Sequence, residues 1–187
     1  LRPAVRAWLQ AHDGAASTWD RVENGFRLER GPLPGAGAWT HQYADAGKSG
    51  ATQDERVRLP LKVLWFGGFG PADAVSRHYR GPAPLAIDGR VFVAGNEQLH
   101  AVDAYNGRIL WERELPGIGR WPMPYRAGSI AADHEAVYAA HEAFCLRIDP
   151  ATGDTLGTYR PPEGWREAVD DLPARGFTPG KKRNIPN

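Results

Sequence analysis

Two dipeptides carry the clearest potential for chemistry in this chain: Tyr79-Arg80 and Tyr125-Arg126, identical pairs 46 residues apart, with His78 beside the first. An arginine guanidinium is a planar fork that grips a carboxylate at two points, and a tyrosine ring makes a rigid wall beside it. Two such pairs brought to one rim would hold a carboxylate-bearing small molecule or an acidic peptide. The competing reading is structural. In it the same arginines bond carbonyls at strand ends and brace neighbouring sheets, and His78 belongs to either story.

The other candidates reduce to structure. Cys145 is the one cysteine, which excludes an intrachain disulfide and a cysteine-rich zinc site. Its place opposite Leu99 in an internal repeat predicts a packed small hydrophobe, not a nucleophile. His134 and His141 stand seven apart around an expected strand, which points them to opposite faces and away from a shared metal. The run GGFG at 67–70 lacks the strand, glycine loop and helix that cradle a phosphate. The basic run GKKR at 180–183 lies in a Pro- and Gly-rich tail and reads as a solvated loop. No carboxylates cluster at metal-ligand spacing, and Asp103 and Asp149 read as turn formers. No catalytic residue and no metal ligand is assigned.

Composition sets the class. The chain has 187 residues, 42% hydrophobic, 24% charged and 10% aromatic, enough to bury a core. A formal net charge of +1 gives no argument for nucleic acid or for an anionic membrane. No apolar run approaches the roughly 18 residues that cross a bilayer. The chain opens on Leu1 with no initiating Met and no signal-peptide pattern, as expected of a fragment of a larger protein.

The elements that must position these residues repeat. Under a shift of 46, Asp103 meets Asp149, Val91 meets Val137, Phe92 meets Tyr138, Leu99 meets Cys145, Val102 meets Ile148, Gly107 meets Gly153 and Leu110 meets Leu156. The same shift upstream carries Trp111 to Trp65, so KVLW is the tail of a still earlier unit. One unit reads as four short strands, 84–88, 90–95, 98–104 and 108–114, separated by hairpin signals at DG, GNE and AYNG. The second unit spans 130–160. A four-stranded antiparallel sheet of this length is the blade of a β-propeller. Asp103 is expected to bond amides two to four residues on, Gly107 to supply a positive φ, and Trp111 to cover the seam between blades. The fold class expected is therefore mainly β, a partial propeller of about two blades.

Ahead of the blades, RPAVRAWLQAHDG predicts a short helix with Val5, Trp8 and Leu9 on one face. TWDRVENGFRLER predicts a hairpin turning at Asn24-Gly25. These place the end of a preceding domain at 1–30, a Gly/Pro linker at 31–38, blades at 39–162, and a loop or the start of a further blade at 163–187.

The stretch LHAVDAYNGRILWERELP at 99–116 resembles the repeat of the pyrroloquinoline-quinone-like (PQQ-like) propellers, with its Asp103, Gly107 and Trp111. CLRIDPATGDTLGTY at 145–159 keeps the Asp149 to Gly153 part and replaces the Trp with Gly157. The segment from Trp39 to Gly68, with Trp65, is similar to the opening segment of such propellers. The resemblance implies a periplasmic or extracytoplasmic setting and further blades of the same chain. It does not bring the cofactor: a quinoprotein dehydrogenase needs a Ca²⁺ site, a catalytic Asp and often a vicinal disulfide, which one cysteine cannot form. The function expected is a non-catalytic binding or scaffold module that presents channel-end loops to a protein or a small anionic ligand. The alternatives are the remnant of a quinone-dependent oxidoreductase, or a propeller fused to a catalytic domain such as a methyltransferase.

Overall fold

Alternation of apolar and polar residues, cut by Asp, Asn and Gly at regular intervals, makes hairpins cheap to form locally and leaves each sheet with an apolar face to cover. The computed structural model describes residues 3–4, 6–7, 17–23, 25–30, 33–67, 82–115, 118, 130–141 and 144–164. Within them lie three antiparallel sheets. The first is a hairpin of β1 (Ser17–Val22) and β2 (Gly25–Arg30). Blade 1 comprises β3 (Leu85–Ile87), β4 (Arg90–Ala94), β5 (Gln98–Asp103) and β6 (Ile109–Glu114), adjacent in that order. Blade 2 comprises β7 (Ile130–Ala132), β8 (Val137–His141), β9 (Phe144–Ile148) and β10 (Thr155–Tyr159), again adjacent in chain order. The chain is mainly β, and its two four-stranded meanders are propeller-type blades.

The repeat extends to the hydrogen-bond register. Leu85 pairs with Phe92 as Ala131 pairs with Tyr138, and Arg90 pairs with Asp103 as Ala136 would with Asp149 one step beyond the Val137 to Ile148 pair. Even the irregularity repeats. Between β5 and β6 the register slips from Ala101↔Trp111 to Val102↔Ile109, and between β9 and β10 it slips from Arg147↔Gly157 to Ile148↔Thr155, each 46 residues on. Such a slip is a β-bulge, which bends the outer strand and increases its twist.

The core lies between the blades. From blade 1 come Leu85, Ile87, Phe92, Ala94, Leu99, Ala101 and Trp111; from blade 2 come Ile130, Ala132, Val137, Ala139, Leu146 and Ile148. Leu115 and Ile118, on the connection that leaves β6, join the same cluster. Blade 1 thus gives one face to the seam and blade 2 gives the opposite one, so neither sheet could bury its apolar side alone. The rings of Phe92 and Trp111 meet at 6.0 Å between centroids, tilted by 38°, which adds an aromatic contact to the area buried.

Two details differ from the sequence expectations, and a third is described only in part. In the first hairpin Val22 pairs with Gly25, so the two-residue loop falls at 23–24, one residue before Asn24-Gly25. The helix at the start is described at Pro3, Ala4, Arg6 and Ala7, and Val5, Trp8 and Leu9 lie outside the described residues. Residues 61–67, which hold KVLW, pair with no strand among the described residues. Among the described residues no helix is long and apolar enough to cross a membrane.

Candidate functional site

The described chemistry concentrates at the turns and at the seam. At the β5–β6 turn Asp103 Oδ1 accepts the amides of Tyr105 at 2.8 Å and Asn106 at 3.2 Å, while the Gly107 amide returns to the Asp103 carbonyl at 2.9 Å. Blade 2 makes the same bonds: Asp149 Oδ1 accepts Ala151 at 2.7 Å and Thr152 at 3.1 Å, and Gly153 returns to the Asp149 carbonyl at 2.9 Å. Gly107 and Gly153 hold φ of 72° and 81°, a region that side chains resist.

Each glycine also receives an indole from the unit before it. Trp65 lies on Gly107, where an added Cβ would come within 2.3 Å of its ring, and Trp111 lies on Gly153, where the clearance would be 2.9 Å. Trp65 Nε1 donates to the Ala104 carbonyl at 2.9 Å; Trp111 Nε1 donates to the Pro150 carbonyl at 3.1 Å. The indole of Trp111 is 9% exposed at the residue level, so the seam both buries its apolar body and satisfies its single donor. Arg113 reinforces that seam by donating to the Gly153 carbonyl at 2.8 Å and to Thr155 Oγ1 at 2.7 Å. Its position had no counterpart upstream, where residue 67 is glycine, so the repeat gave no signal for it. A polar cleft of about 380 Å³ opens here, lined by Glu112, Arg113, Thr152, Gly153, Asp154 and Thr155.

At the inner edges a strap crosses both blades. Trp39 and Ala86 exchange backbone bonds at 2.7 and 2.8 Å, and the Thr40 carbonyl accepts the Ala132 amide at 2.9 Å. Edge strands β3 and β7 are thereby covered. Gln42 Oε1 accepts the Ala83 amide at 2.7 Å, fixing the chain three residues after Arg80. The strap is itself held by turns. Asp54 accepts the amides of Gly37, Arg56 and Val57 and its carboxyl is lowered chiefly by the Gly37 bond; Asp45 is lowered chiefly by the Ser49 hydroxyl.

His134 and Asp88 occupy equivalent places in the inner-hairpin turns of the two blades, and His134 Nδ1 lies 2.9 Å from Asp88 Oδ2. That bond raises the imidazole above its ordinary value. The buried His100, on β5, has its Nδ1 3.3 Å from Glu112 Oε1 on the neighbouring strand.

Blade 2 turns a polar row outward. Ala131, Tyr138, Arg147 and Gly157 stand in one cross-strand row where blade 1 has Leu85, Phe92, Ala101 and Trp111. Tyr138 donates to Asp133 Oδ2 at 3.0 Å and Arg147 Nη2 donates to Glu135 Oε2 at 3.0 Å. Burial raises the Asp133 carboxyl, but the amides of Glu135 and Ala136 and the Tyr138 hydroxyl outweigh it and the net shift is downward. Bonding to Asp133 pushes the Tyr138 phenol up. Cys145 lies on this outward face, half-buried, with its Sγ directed to the Leu146 carbonyl at 3.7 Å; it is not the packed core residue that its alignment with Leu99 suggested, because among the described residues no second sheet covers this face as blade 2 covers Leu99. Burial pushes its thiol up, away from nucleophilic character.

His78, Tyr79, Arg80, Tyr125, Arg126 and the GKKR run lie outside the described residues, as do 68–70 of GGFG and the side chain of His141. Among the described residues no group of His, Cys, Asp or Glu is placed to hold a metal ion. Asp103 and Asp149 are committed to their turns.

No protein-family model matches the chain, and no curated protein matches it in sequence. Among solved structures, the chain is similar to the quinohemoprotein alcohol dehydrogenase ADHIIG of Pseudomonas putida HK5, with 15% identity and a TM-score of 0.48, over 68% of this chain and 19% of that one. It is also similar to BamB from Moraxella catarrhalis, with 16% identity and a TM-score of 0.40, over 67% of this chain and 34% of that one. The chain therefore spans about a fifth and about a third of those two proteins' lengths.

Proposed function

We propose that this chain is part of a PQQ-like propeller that works as a binding or scaffold module, presenting loops at the blade ends to a protein or a small anionic ligand. The observation that carries the reading is how the blades use their polar groups. Asp103 and Asp149 hold turns, Trp111 and Arg113 tie blade to blade, and the strap from Trp39 to Ala44 covers the inner edges. A framework built this way is a rigid platform, and recognition falls to the loops it carries.

The sequence ahead of β3 and β7 carries the Tyr79-Arg80 and Tyr125-Arg126 pairs, and Gln42 accepts the Ala83 amide after the first of them. In a propeller, equivalent positions of consecutive blades lie at the same end of the sheets. Two guanidinium forks at one end suit a ligand with two or more carboxylates. Calorimetric titration of citrate into the protein tests the reading. Saturable binding that weakens on Arg80→Lys or Arg126→Lys, with the melting temperature unchanged, supports it. No binding, together with a lower melting temperature for either variant, would assign the arginines to bracing the blades.

A further inference from the structure

Asn106-Gly107, in the turn between β5 and β6, is a dipeptide of the kind that most readily loses its side-chain amide, because glycine has no side chain to obstruct attack by its own backbone nitrogen. The reaction balances with water alone. The Gly107 nitrogen gives its proton to solvent base and bonds to Asn106 Cγ, the bond from Cγ to Nδ2 breaks, and Nδ2 leaves as ammonia. Water then opens the cyclic imide at one carbonyl or the other. The products are aspartate and isoaspartate, and in isoaspartate the backbone runs through the side chain and is longer by a methylene.

The fold exposes one reactant and locks the other. Asn106 is exposed and Gly107 is buried. The Gly107 N–H is committed to the Asp103 carbonyl at 2.9 Å, and Asn106 is held on both sides, its amide by Asp103 Oδ1 at 3.2 Å and its own Oδ1 by the Arg108 amide at 2.9 Å. Over Gly107 lies the indole of Trp65, so close that an added Cβ would overlap its ring. Attack on Cγ requires the Gly107 nitrogen to leave its acceptor and swing toward the side chain about the bond joining Cα to the carbonyl carbon of Asn106. With the indole seated, and its Nε1 bonded to the Ala104 carbonyl at 2.9 Å, that rotation has no room. The equivalent turn in blade 2 reads Thr152-Gly153 and has no amide to lose, so of the two indole-on-glycine joints only this one can react.

We propose that Asn106 is a deamidation site gated by the Trp65 joint: it reacts only in molecules whose indole has lifted from Gly107 and freed the Gly107 amide. The product keeps the record. Isoaspartate lengthens the backbone between Asp103 and Gly107, which misplaces the Gly107 amide and denies the indole its seat. A transient opening of the joint is thereby written into the covalent chain, with a new negative charge in the turn that Asp103 holds.

The test follows the 187-residue chain in mildly alkaline buffer, with deamidation at Asn106 read by peptide mass mapping and isoaspartate by its separate elution. In the folded chain Asn106 is expected to react slower by about tenfold or more than in the same chain unfolded in urea. Trp65→Ala is expected to raise the folded chain's rate toward the unfolded one, with the Trp111 seam intact as judged by a cooperative melt. Native-state hydrogen exchange supplies a measure that needs no variant: the protection of the Gly107 amide should match the slowing of deamidation, because one opening governs both. Chain isolated with isoaspartate at 106 is expected to have lost that protection. Equal rates in the folded and unfolded chain would overturn the proposal. So would a Trp65→Ala chain that stays folded and reacts no faster, a Gly107 protection that does not match the slowing, or isoaspartate that leaves the amide protected.

Discussion

Blade 1 and blade 2 share a backbone and differ in what they show the next layer. Pairing register, bulge, Asp-anchored turn and positive-φ glycine all coincide under a shift of 46 residues, and strand lengths agree to within one residue. The face that blade 1 turns toward blade 2, and its counterpart in blade 2, do not. Leu85, Phe92, Ala101, Trp111 and Leu99 in blade 1 become Ala131, Tyr138, Arg147, Gly157 and Cys145 in blade 2. The turn chemistry alone therefore specifies a blade, and the composition of one sheet face specifies whether another blade stacks on it. Repeat proteins use the same separation when a polar outer face caps the stack.

The largest effect expected from breaking this comparison comes from writing blade 2's residue into blade 1. Ala101 is fully buried opposite Trp111, so Ala101→Arg puts an unpaired charge into the seam and should cost about 3–5 kcal/mol or unfold the chain. The reverse change, Arg147→Ala, removes an arginine whose partner Glu135 is solvent-exposed and should cost about 1 kcal/mol or less. Denaturant titrations of the two variants would give the ratio directly. Equal costs would mean that the two faces are not distinguished as described.

Next in size is Trp111→Ala, which empties an indole-sized volume at the seam and should cost about 3–5 kcal/mol, toward the lower end if the space collapses. The turns rank below it. Asp103→Ala and Asp149→Ala each remove the carboxylate that accepts two amides at an exposed turn, and each should cost about 1 kcal/mol. Thermal melts should find the two aspartates alike, because their turns are alike. A large difference between them would show that the turn does more in one blade than in the other.

The smallest effect concerns the bond between the blades at His134 and Asp88. The folded imidazole is raised, so its contribution is fully present below the ordinary histidine value of about 6.5 and fades as pH rises through the raised one. Both groups are well solvated, so the contribution is small. Asp88→Asn should remove the part of the melting-temperature difference between about pH 6 and pH 8 that this pair supplies. An unchanged difference would assign that pH dependence to other groups.

How much of this was legible in the sequence depends on whether a feature repeats. The four strands of each blade, the Asp103 and Asp149 turns and the apolar lining of the seam follow from alternation and punctuation that recur at 46 residues, and the structure places the strand ends of blade 1 within one residue of the expected ones. Features that occur once left no such trace. The strap at Trp39 to Ala44 pairs with two strands through its backbone, which any sequence can do, and Arg113 finds its partners in the following blade although no earlier unit has an arginine there. The misreading of Cys145 has the same origin. Alignment with Leu99 gives its place in the strand but not whether its face is covered. The turn of the first hairpin moved by one residue because Asn24-Gly25 and Glu23-Asn24 both offer turn chemistry, and the strand register decides between them.

The central claim is that consecutive units are joined by an indole laid on the glycine of the next turn. A double-mutant cycle of Trp111→Ala and Gly153→Ala tests it most directly. In the native background Gly153→Ala meets both an unfavourable φ and a Cβ 2.9 Å from the indole; once the indole is gone, only the φ remains. The account predicts that the two costs are non-additive, with a coupling of about 1 kcal/mol or more. Additive costs would contradict it, since they would mean that Trp111 and Gly153 do not rest on one another.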